Sequence, residues 1–510
     1  MPTPTAHASK NPTASDIRAS GTRPNTKEFL LMFLITAGAM AVHGYHPYVE
    51  DAEIYVPGIK KLIHPNLYPH NAEFFTSHAS MTMFPRLIAA SVKLTHLPFD
   101  WVLFLWQFLS IFLLLWGCWR LAGLCFPSKR ARWGGVLLIA SLLTIPVAGT
   151  ALYLMDQYLT PRALSTFSIV FLIVNTIERK FVRATLWTVF LALIHPLMAV
   201  FGICFCALVL WEQRKVSAQV LTAALLFPLS LFPPVTEAYR VSLNRHSYFF
   251  VTRWEWYEWV GIFAPMLLLW LFSMLARKHD WRVLDLLCRT LIIFQAFFFV
   301  ISLLLCLPVF ANFAELQTMR SLHLLYVLLF VFAGGLLAEF VLKSSVWRWL
   351  LLFIPICAGM FYAQLQLFPG TVHMEFPGAV SGNSWVNAFL WIRHNTPEDA
   401  YFALNPAYLK ADGEDVHGFR SIAERSSLAD DVKDSGAVSM FPALAEKWQQ
   451  QSLALHGWQN FQASDLQRLH QKFGVDWVVL DQPGTSPLKS ASSGLDCPYR
   501  NGYLQVCRIQ

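Results

Sequence analysis

Carboxylates, imidazoles and phenols crowd into one short stretch near the start of the chain, residues 43–55. It contains the adjacent acids Glu50 and Asp51, followed by Glu53 and preceded by His46. A carboxylate beside an acceptor hydroxyl can act as a general base, while a neighbouring carboxylate orients the substrate or binds a divalent metal ion. The alternative is that these acids stabilise the N-terminus of a helix, where negative charge is favourable.

An apolar run, residues 29–42, leads directly into this stretch, and similar runs recur as far as residue 368. They have the length that crosses a bilayer, roughly 20 residues. Of the whole chain, 14% is charged, against about a quarter in soluble globular proteins. The net charge of +7 does not indicate nucleic-acid binding, because the Lys and Arg residues form short clusters between apolar runs. This is the pattern of cytoplasmic loops, so the sequence predicts an α-helical polytopic membrane protein.

The basic clusters, placed in the cytoplasm, predict the topology. Residues 1–28 become a disordered cytoplasmic tail, residues 29–368 a transmembrane domain, and residues 43–98 a long outer loop. We expect about ten spans plus a broken re-entrant hairpin at 184–211, which has basic residues at both ends and a helix-disrupting Pro196 in its middle. The predicted spans include residues 29–43, 101–126, 133–154, 163–177, 216–234, 260–276, 286–310, 322–342 and 349–368.

Residues 369–510 have the composition of a soluble domain, and the topology places them on the outer side. Helical and strand-like segments alternate there, which predicts a small extracytoplasmic α/β or α+β domain. An Asn501-Gly502 pair between strand-like residues predicts a terminal hairpin. Cys497 and Cys507 flank this pair, so we expect a disulfide in an oxidising compartment, or two free edge-strand thiols otherwise.

Four further residues are expected on the same side as the acidic stretch. Asp156 and Arg162 lie in a short outer turn, where they either contact substrate or form a structural ion pair. His195 lies at the tip of the broken hairpin and is either a substrate contact or a core histidine. Arg320 opens a span on the outer side, where it either binds a lipid phosphate or snorkels to the interface.

Four motifs carry a family resemblance: His-Gly-Tyr-His-Pro-Tyr-Val-Glu-Asp-Ala at 43–52, Tyr-Pro-His-Asn-Ala-Glu-Phe-Phe at 68–75, Met-Asp-Gln-Tyr-Leu-Thr-Pro-Arg at 155–162, and Gln-Thr-Met-Arg-Ser-Leu-His at 317–323. With the many spans and the soluble C-terminal domain, the layout resembles the GT-C membrane glycosyltransferases and a poorly characterised group of bacterial membrane proteins. The resemblance implies transfer of a sugar from a polyprenyl-phosphate carrier on the non-cytoplasmic face. It implies Asp51 or Glu50 as the catalytic base, Asp156 as a second acid and Arg320 as a ligand of the donor phosphate.

The predicted site therefore comprises Asp51 and Glu50 as catalytic residues, and Glu53, His46, Asp156, Arg162, His195 and Arg320 as substrate-binding residues. A Mg²⁺ or Mn²⁺ ion is expected to be held by Glu50, Asp51 and Asp156. No other cofactor is expected.

The resemblance also implies partners and a location. The expected partners are a lipid-linked sugar donor, membrane lipids, and a glycan, lipid or protein acceptor, whereas nucleic acid is not expected. The expected location is the bacterial inner membrane, with the N-terminus cytoplasmic and the C-terminal domain extracytoplasmic. Two other functions stay open. A non-catalytic scaffold for envelope polysaccharide assembly would tolerate loss of the acids, and a secondary transporter would show paired broken helices in two related halves.

Overall fold

The computed structural model describes residues 25–213, 236–411, 413–481 and 495–509. Within these ranges the chain is a helical membrane protein with a small sheet-containing unit at its C-terminal end. The predicted tail, apart from residues 25–28, and the predicted span 216–234 lie outside the described residues.

The helices of the membrane part are α1 Thr26–His43, α2 Ala52–Ile63, α3 Glu73–Met81, α4 Phe84–Thr95, α5 Phe99–Cys125, α6 Lys129–Ser141, α7 Pro161–Ile177, α8 Phe181–Ile194, α9 Pro196–Glu212, α10 Glu237–Asn244, α11 Trp256–Lys278, α12 Arg282–Leu305, α13 Ser321–Leu337 and α14 Val346–Leu367. Six helical segments of the described ranges are long and apolar enough to cross a membrane, namely α1, α5, α11, α12, α14 and the stretch Thr318–Leu342 that contains α13. The expectation of about ten full spans is therefore wrong for the part of the chain that the structure describes. Helices α7, α8 and α9 are apolar but shorter.

The predicted span 133–154 is replaced by a short helix and a buried loop. Helix α6 ends at Ser141. Pro146 follows in the loop, where it cannot donate a backbone hydrogen bond to continue a helix, and it lies opposite Tyr153 in an isolated antiparallel bridge. Side chains of α5 and α13 hold the loop, because Gln107 donates to the carbonyl of Asp156 at 2.7 Å and the His323 ring lies 3.0 Å from the carbonyl of Leu154. Within the membrane part of a protein, irregular backbone is tolerated where other protein groups surround it.

The predicted break at His195-Pro196 is present. His195 is extended, with φ −153° and ψ 86°, and separates α8 from α9. Pro196 is the first residue of α9, where its missing N–H costs nothing. The two helices pack on each other and on α7.

The basic helix ends lie together at one end of the bundle. Ion pairs join them: Arg120–Glu178 at 2.6 Å, Lys129–Glu28 at 3.0 Å and Arg289–Glu212 at 3.3 Å. The sheet-containing unit contacts the opposite end, where Val49 of the acidic stretch forms a bridge with His417. The acidic stretch and this unit therefore share one face of the protein.

The C-terminal unit comprises α15 Ser384–Asn395, β1 Tyr401–Ala403, α16 Phe419–Ala423, β2 Ser426–Ser427, α17 Lys433–Met440, α18 Ala445–Ala454, α19 Ala463–Phe473, β3 Trp477–Asp481, β4 Asp496–Arg500 and β5 Leu504–Arg508. Its five strands have the order β2-β1-β3-β5-β4. Strand β1 is parallel to β2 and β3, whereas β5 is antiparallel to β3 and β4. Alternate residues of β3 face two separate cores, Val479 the one under α15 and Val478 the one under α19. The Sγ atoms of Cys497 and Cys507 are 2.04 Å apart.

Helix α6, which precedes the buried loop, and helix α13, which follows Arg320, approach each other closely through glycine. A Cβ on Gly134 would lie 2.4 Å from the carbonyl oxygen of Gly334 and 2.4 Å from the Cβ of Ala338. Small residues at such contacts let two backbones approach within a membrane.

We therefore expect Gly134→Ala to lower the unfolding temperature, because overpacking a tight contact costs about 1–3 kcal/mol. Gly359→Ala in α14 is the matched control, since a Cβ there would meet nothing within 4 Å. Thermal unfolding of both purified proteins in detergent checks this. Equal unfolding temperatures would contradict the close contact.

Candidate active site

One cavity of about 470 Å³ lies between the membrane part and the C-terminal unit. Six of the predicted site residues line it: Glu50, Asp51, Asp156, Arg162, His195 and Arg320. The structure thus brings these residues together in one cavity, although they come from four separated parts of the chain. The C-terminal unit closes the cavity with one face of α17, from Lys433 to Met440.

The acidic pair sits on a turn between α1 and α2. The C-cap Gly44 ends α1 with φ +80°, and a Cβ there would lie 2.8 Å from the carbonyl oxygen of His373, so the close approach requires glycine. Glu50 has φ +53°, in the left-handed region, and its N–H donates to the carbonyl of Val416 at 2.8 Å. The C-terminal unit therefore fixes the turn that presents the acids.

Asp51 is bound by two cations. Its Oδ1 accepts from Lys433 Nζ at 3.0 Å, and its Oδ2 lies 3.7 Å from an Arg162 nitrogen. Burial alone would raise the pKa of Asp51, but Lys433 and Arg162 outweigh it and hold the pKa well below its usual value. Asp51 is therefore ionised throughout the physiological range. About a third of its side chain, 32%, stays accessible from the cavity.

Glu50 shares the same lysine and lies nearer the rim. Its carboxylate forms a hydrogen bond with Lys433 Nζ, and 42% of its side chain is accessible. The two acids thus face one cation rather than one another.

Asp156 is buried and forms an ion pair with Arg162. Its Oδ2 accepts from Arg162 Nη2 at 2.8 Å and Nε at 3.1 Å, and from the Thr160 hydroxyl at 3.1 Å. Burial and the nearby Asp51 raise the pKa of Asp156, while Arg162 opposes the shift. The structural ion pair foreseen as one alternative is present, and it orients the Arg162 guanidinium towards Asp51.

Arg320 is the cation of the cavity that lacks a direct acidic partner. Among the described residues no carboxylate forms an ion pair with it, and its buried Nε has no hydrogen-bond partner. A half-buried guanidinium left in this state is suited to an anion that enters from outside the protein.

Glu53 does not line the cavity, so its prediction as a substrate-binding residue is corrected. It is 1% exposed, and its carboxylate accepts the backbone N–H groups of Arg420 and Ser421, both at 2.9 Å. A Cβ on Gly418 would lie 2.2 Å from Glu53 Oε2, so glycine allows this approach. Glu53 anchors α2 to the C-terminal unit.

His46 is likewise corrected. Its ring stacks on Phe368 with centroids 4.0 Å apart, and its Nδ1 lies 2.6 Å from Glu375. His417 of the C-terminal unit approaches the same carboxylate at 3.1 Å. The three side chains join the acidic stretch, the segment 368–383 between α14 and α15, and the C-terminal unit. None of them lines the cavity.

The carboxylates do not fit the predicted divalent metal site. Within the described ranges no group of three or more His, Cys, Asp or Glu side chains could hold a metal ion. Lys433 forms ion pairs with Glu50 and Asp51, and Arg162 forms an ion pair with Asp156. The chain itself supplies the cations that balance these acids.

Lys433 was missed by sequence reasoning. It lies 382 residues after Asp51, in a polar segment, Asp-Asp-Val-Lys-Asp-Ser, which resembles an ordinary solvated surface. Three acids and one serine surround it in this segment, and they give no spacing signal that would connect it with the acidic stretch at residues 43–55.

We expect Glu53→Ala to destabilise the protein markedly, because the buried backbone N–H groups of Arg420 and Ser421 lose their acceptor, at about 1–3 kcal/mol for each unsatisfied group. Glu73→Ala is the control, since Glu73 pairs with Lys447 of the same C-terminal unit but is partly exposed. Thermal unfolding in detergent measures both. A smaller loss for Glu53→Ala than for Glu73→Ala would refute the anchoring role.

The Glu375 junction predicts a pH-dependent contribution to stability. Glu375 raises the pKa of His417 against the effect of burial, and the two histidines lower the pKa of Glu375, which burial would raise, to about 2. The histidine contribution is full below the unfolded histidine pKa and is lost as pH rises through the raised value. The glutamate contribution is present above its unfolded pKa and is lost as pH falls towards 2.

Glu375→Gln should therefore lower the unfolding temperature more at about pH 5.5 than at about pH 8.5, because the charged pair is lost as pH rises through the raised pKa of His417. The exposed Glu446→Gln is the control. Thermal scans of the three proteins at both pH values give the comparison. A deficit independent of pH would show that His417 and Glu375 do not form a charged pair.

Comparisons with known proteins give little beyond this geometry. No protein-family model matches the chain, and no curated protein matches it. A solved structure, the apo form of the Archaeoglobus fulgidus oligosaccharyltransferase, is similar over 90% of this chain and 70% of that chain, with 13% sequence identity and a TM-score of 0.40. At that level of likeness the match carries no argument about function.

Proposed function

We propose that this protein is a membrane glycosyltransferase that moves a sugar from a polyprenyl-phosphate donor to an acceptor hydroxyl at the outer face of the membrane. The observation that carries the proposal is a single cavity in which an accessible, ionised carboxylate, Asp51, lies with a guanidinium that has no acidic partner, Arg320. The carboxylate suits an acceptor proton, and the guanidinium suits a donor phosphate.

The cavity wall supports a lipid-linked donor. Beside the cationic side chains, the cavity is lined by Met81 at the end of α3 and by Pro196 and Leu197 at the start of α9. An apolar polyprenyl chain can contact such residues while its phosphate reaches Arg320 and Arg162. The broken helix at His195 brings Pro196 to this wall, so the break has a use in the site.

The transfer balances with these groups. The acceptor hydroxyl oxygen attacks the anomeric carbon of the sugar, and the bond between that carbon and the phosphate oxygen breaks. The electron pair stays on the phosphate oxygen, where Arg320 and Arg162 neutralise the added charge. Asp51 takes the hydroxyl proton. Because its pKa is held low, Asp51 is a weak base, and it receives the proton late, once the new bond has acidified the hydroxyl.

Asp51 is the better candidate for the base than Glu50. It lies between Lys433 and Arg162, so it is beside the cations that bind the phosphate, whereas Glu50 is at the rim. We assign to Glu50 the orientation of Lys433 and of the acceptor.

The distribution of charge supports the proposed orientation in the membrane. The basic ends of the bundle would lie in the cytoplasm, so the cavity and the C-terminal unit would be extracytoplasmic, in the inner membrane of a bacterium. The paired Cys497 and Cys507 are compatible with an oxidising compartment. A transporter is less well supported, because the described residues contain one broken helix of this type rather than a matched pair in two halves.

Binding of the donor phosphate is the first test. A polyprenyl phosphate without sugar should raise the unfolding temperature of the full chain in detergent, and Arg320→Met should remove this shift. Asp51→Asn should keep it, as should Arg240→Met, which changes an exposed arginine near the same face. Inorganic phosphate alone should give a smaller shift than the lipid. Equal stabilisation of wild type and Arg320→Met would contradict the assignment.

Turnover is the second test. Asp51→Asn should lower transfer from a polyprenyl-phosphate sugar by about 10²–10⁴-fold, the usual range for loss of a general base. Glu50→Gln should lose less, since the base stays in place. The measurement is transfer by purified variants that unfold at the wild-type temperature. Full activity of Asp51→Asn would sink the proposed mechanism.

A further inference from the structure

A lysine of the C-terminal unit reaches into the cavity from the first residue of α17. Lys433 Nζ contacts both acids of the first outer loop, hydrogen bonding to Glu50 and lying 3.0 Å from Asp51 Oδ1. The lysine side chain is 10% exposed, whereas the two carboxylates are 42% and 32% exposed. The ammonium group is therefore enclosed behind the acids, and the acids face the substrate space.

We propose that Lys433 is a positioning residue for the transfer reaction: it is the cation that holds the carboxylates of Glu50 and Asp51 together, in the place expected for a divalent metal ion. The site is then complete only while the C-terminal unit is docked. The role in transfer rests on the function proposed above, whereas the contact and the absence of metal binding can be tested without any transfer activity.

The chemistry of an ammonium group fits this position. Two adjacent carboxylates in one turn repel each other, and a cation placed between them offsets this repulsion. Lysine offers three N–H donors from a compact charge. Glu50 and Asp51 use two of them, which leaves one for a substrate oxygen. The predicted metal site fails for the same reason, because Lys433 and Arg162 already occupy the carboxylate oxygens.

The position of Lys433 is set by its neighbours in the C-terminal unit. The carboxylate of Asp430 accepts its backbone N–H, and the next residue, Asp434, receives two hydrogen bonds from Arg420. Arg420 in turn donates its backbone N–H to Glu53, two residues after Asp51. Displacement of the C-terminal unit would therefore withdraw Lys433 from both acids and Arg420 from Glu53 at once.

Zero-length crosslinking tests the contact directly. A water-soluble carbodiimide activates a carboxyl group, and a lysine amine in contact displaces the urea by-product to form an amide. In the full-length protein in detergent, mass spectrometry should find residue 433 joined to residue 50 or 51. Lys447 and Glu73, an exposed pair across the same two parts of the chain, provide the internal control. Lys433→Arg should remove the first crosslink and keep the second. A Lys447–Glu73 crosslink without any crosslink at Lys433 would overturn the proposal.

Manganese binding tests the replacement of a metal. Electron paramagnetic resonance of Mn²⁺ titrated into the wild-type protein should show no bound ion that is lost in Asp51→Asn. Bound Mn²⁺ that depends on Asp51 in the wild type would overturn the proposal, because the ion would have to displace Lys433. Neither this result nor the crosslink depends on transfer, so a failure here is distinguishable from a failure of the proposed function.

The kinetic test separates positioning from folding. Lys433→Met should lower kcat by about 100-fold, the effect of losing one organised electrostatic partner, and Lys433→Arg should restore part of it. In Lys433→Met the acid limb of the pH profile should move to higher pH, because Asp51 has lost a cation; a variant that merely folds poorly would lose activity without that shift. Lys447→Met should match the wild type. Wild-type kcat and an unmoved acid limb in Lys433→Met would overturn the positioning role.

Discussion

The contact between Glu53 of the membrane part and Arg420 of the C-terminal unit is the interaction on which the arrangement of the two parts depends. The Arg420 side chain is 1% exposed, and its guanidinium forms hydrogen bonds to the buried Asp434, while a Glu53 oxygen lies 3.9 Å away. A buried charge is tolerated only when it is paired, and removing one partner of such a group costs about 3–5 kcal/mol. Separation of the C-terminal unit would leave Glu53 without the N–H groups that it accepts. The unit is therefore held against the acidic stretch, and α17 is held over the cavity.

This docking also explains a concentration of unfavourable backbone geometry. Glu50, Asp415 and Val416 all have φ between +53° and +62°, a region that costs about 1–3 kcal/mol for residues other than glycine and is worst for a β-branched one. The strained segments hold each other, because Glu50 donates to Val416 and Gly418 donates to Tyr48, both at 2.8 Å. Such conformations persist where the surroundings over-determine them. The acidic stretch alone would relax, and Glu50 and Asp51 would lose their common cation.

The sequence predicts the parts of this protein that depend on local pattern. Apolar runs locate the six long helical segments, Pro196 locates the helix break, and Asn501-Gly502 locates the terminal hairpin. It also places the residues of the cavity on one face, because the positions of basic clusters are local information. The predicted span 133–154 failed since hydropathy does not distinguish an apolar helix from an apolar loop that is buried in protein.

The partners of charged residues could not be predicted in the same way. Glu53 and Asp51 are two residues apart, yet one binds backbone N–H groups and the other faces a cavity. That difference depends on Gly418, which lets the backbone of the C-terminal unit reach Glu53. Lys433 is decided by the same docking. A pairing between residues hundreds of positions apart leaves no spacing in a single sequence, whereas the requirement for some cation beside two adjacent carboxylates follows from their chemistry.

For the transfer reaction proposed above, the charges that line the cavity favour a donor with a single phosphate. The ionisable acids and permanent cations of its described lining are Glu50, Asp51, Asp156, Arg162, Arg320 and Lys433, three of each sign. A sugar linked through one phosphate brings one negative charge, which Arg320 meets directly. During transfer a second negative charge develops on the leaving phosphate as Asp51 becomes neutral by taking the proton, so the total charge of the cavity does not change. A diphosphate-linked sugar would bring a further charge into a low-dielectric space whose described lining offers no additional cation, and it would therefore bind at greater electrostatic cost.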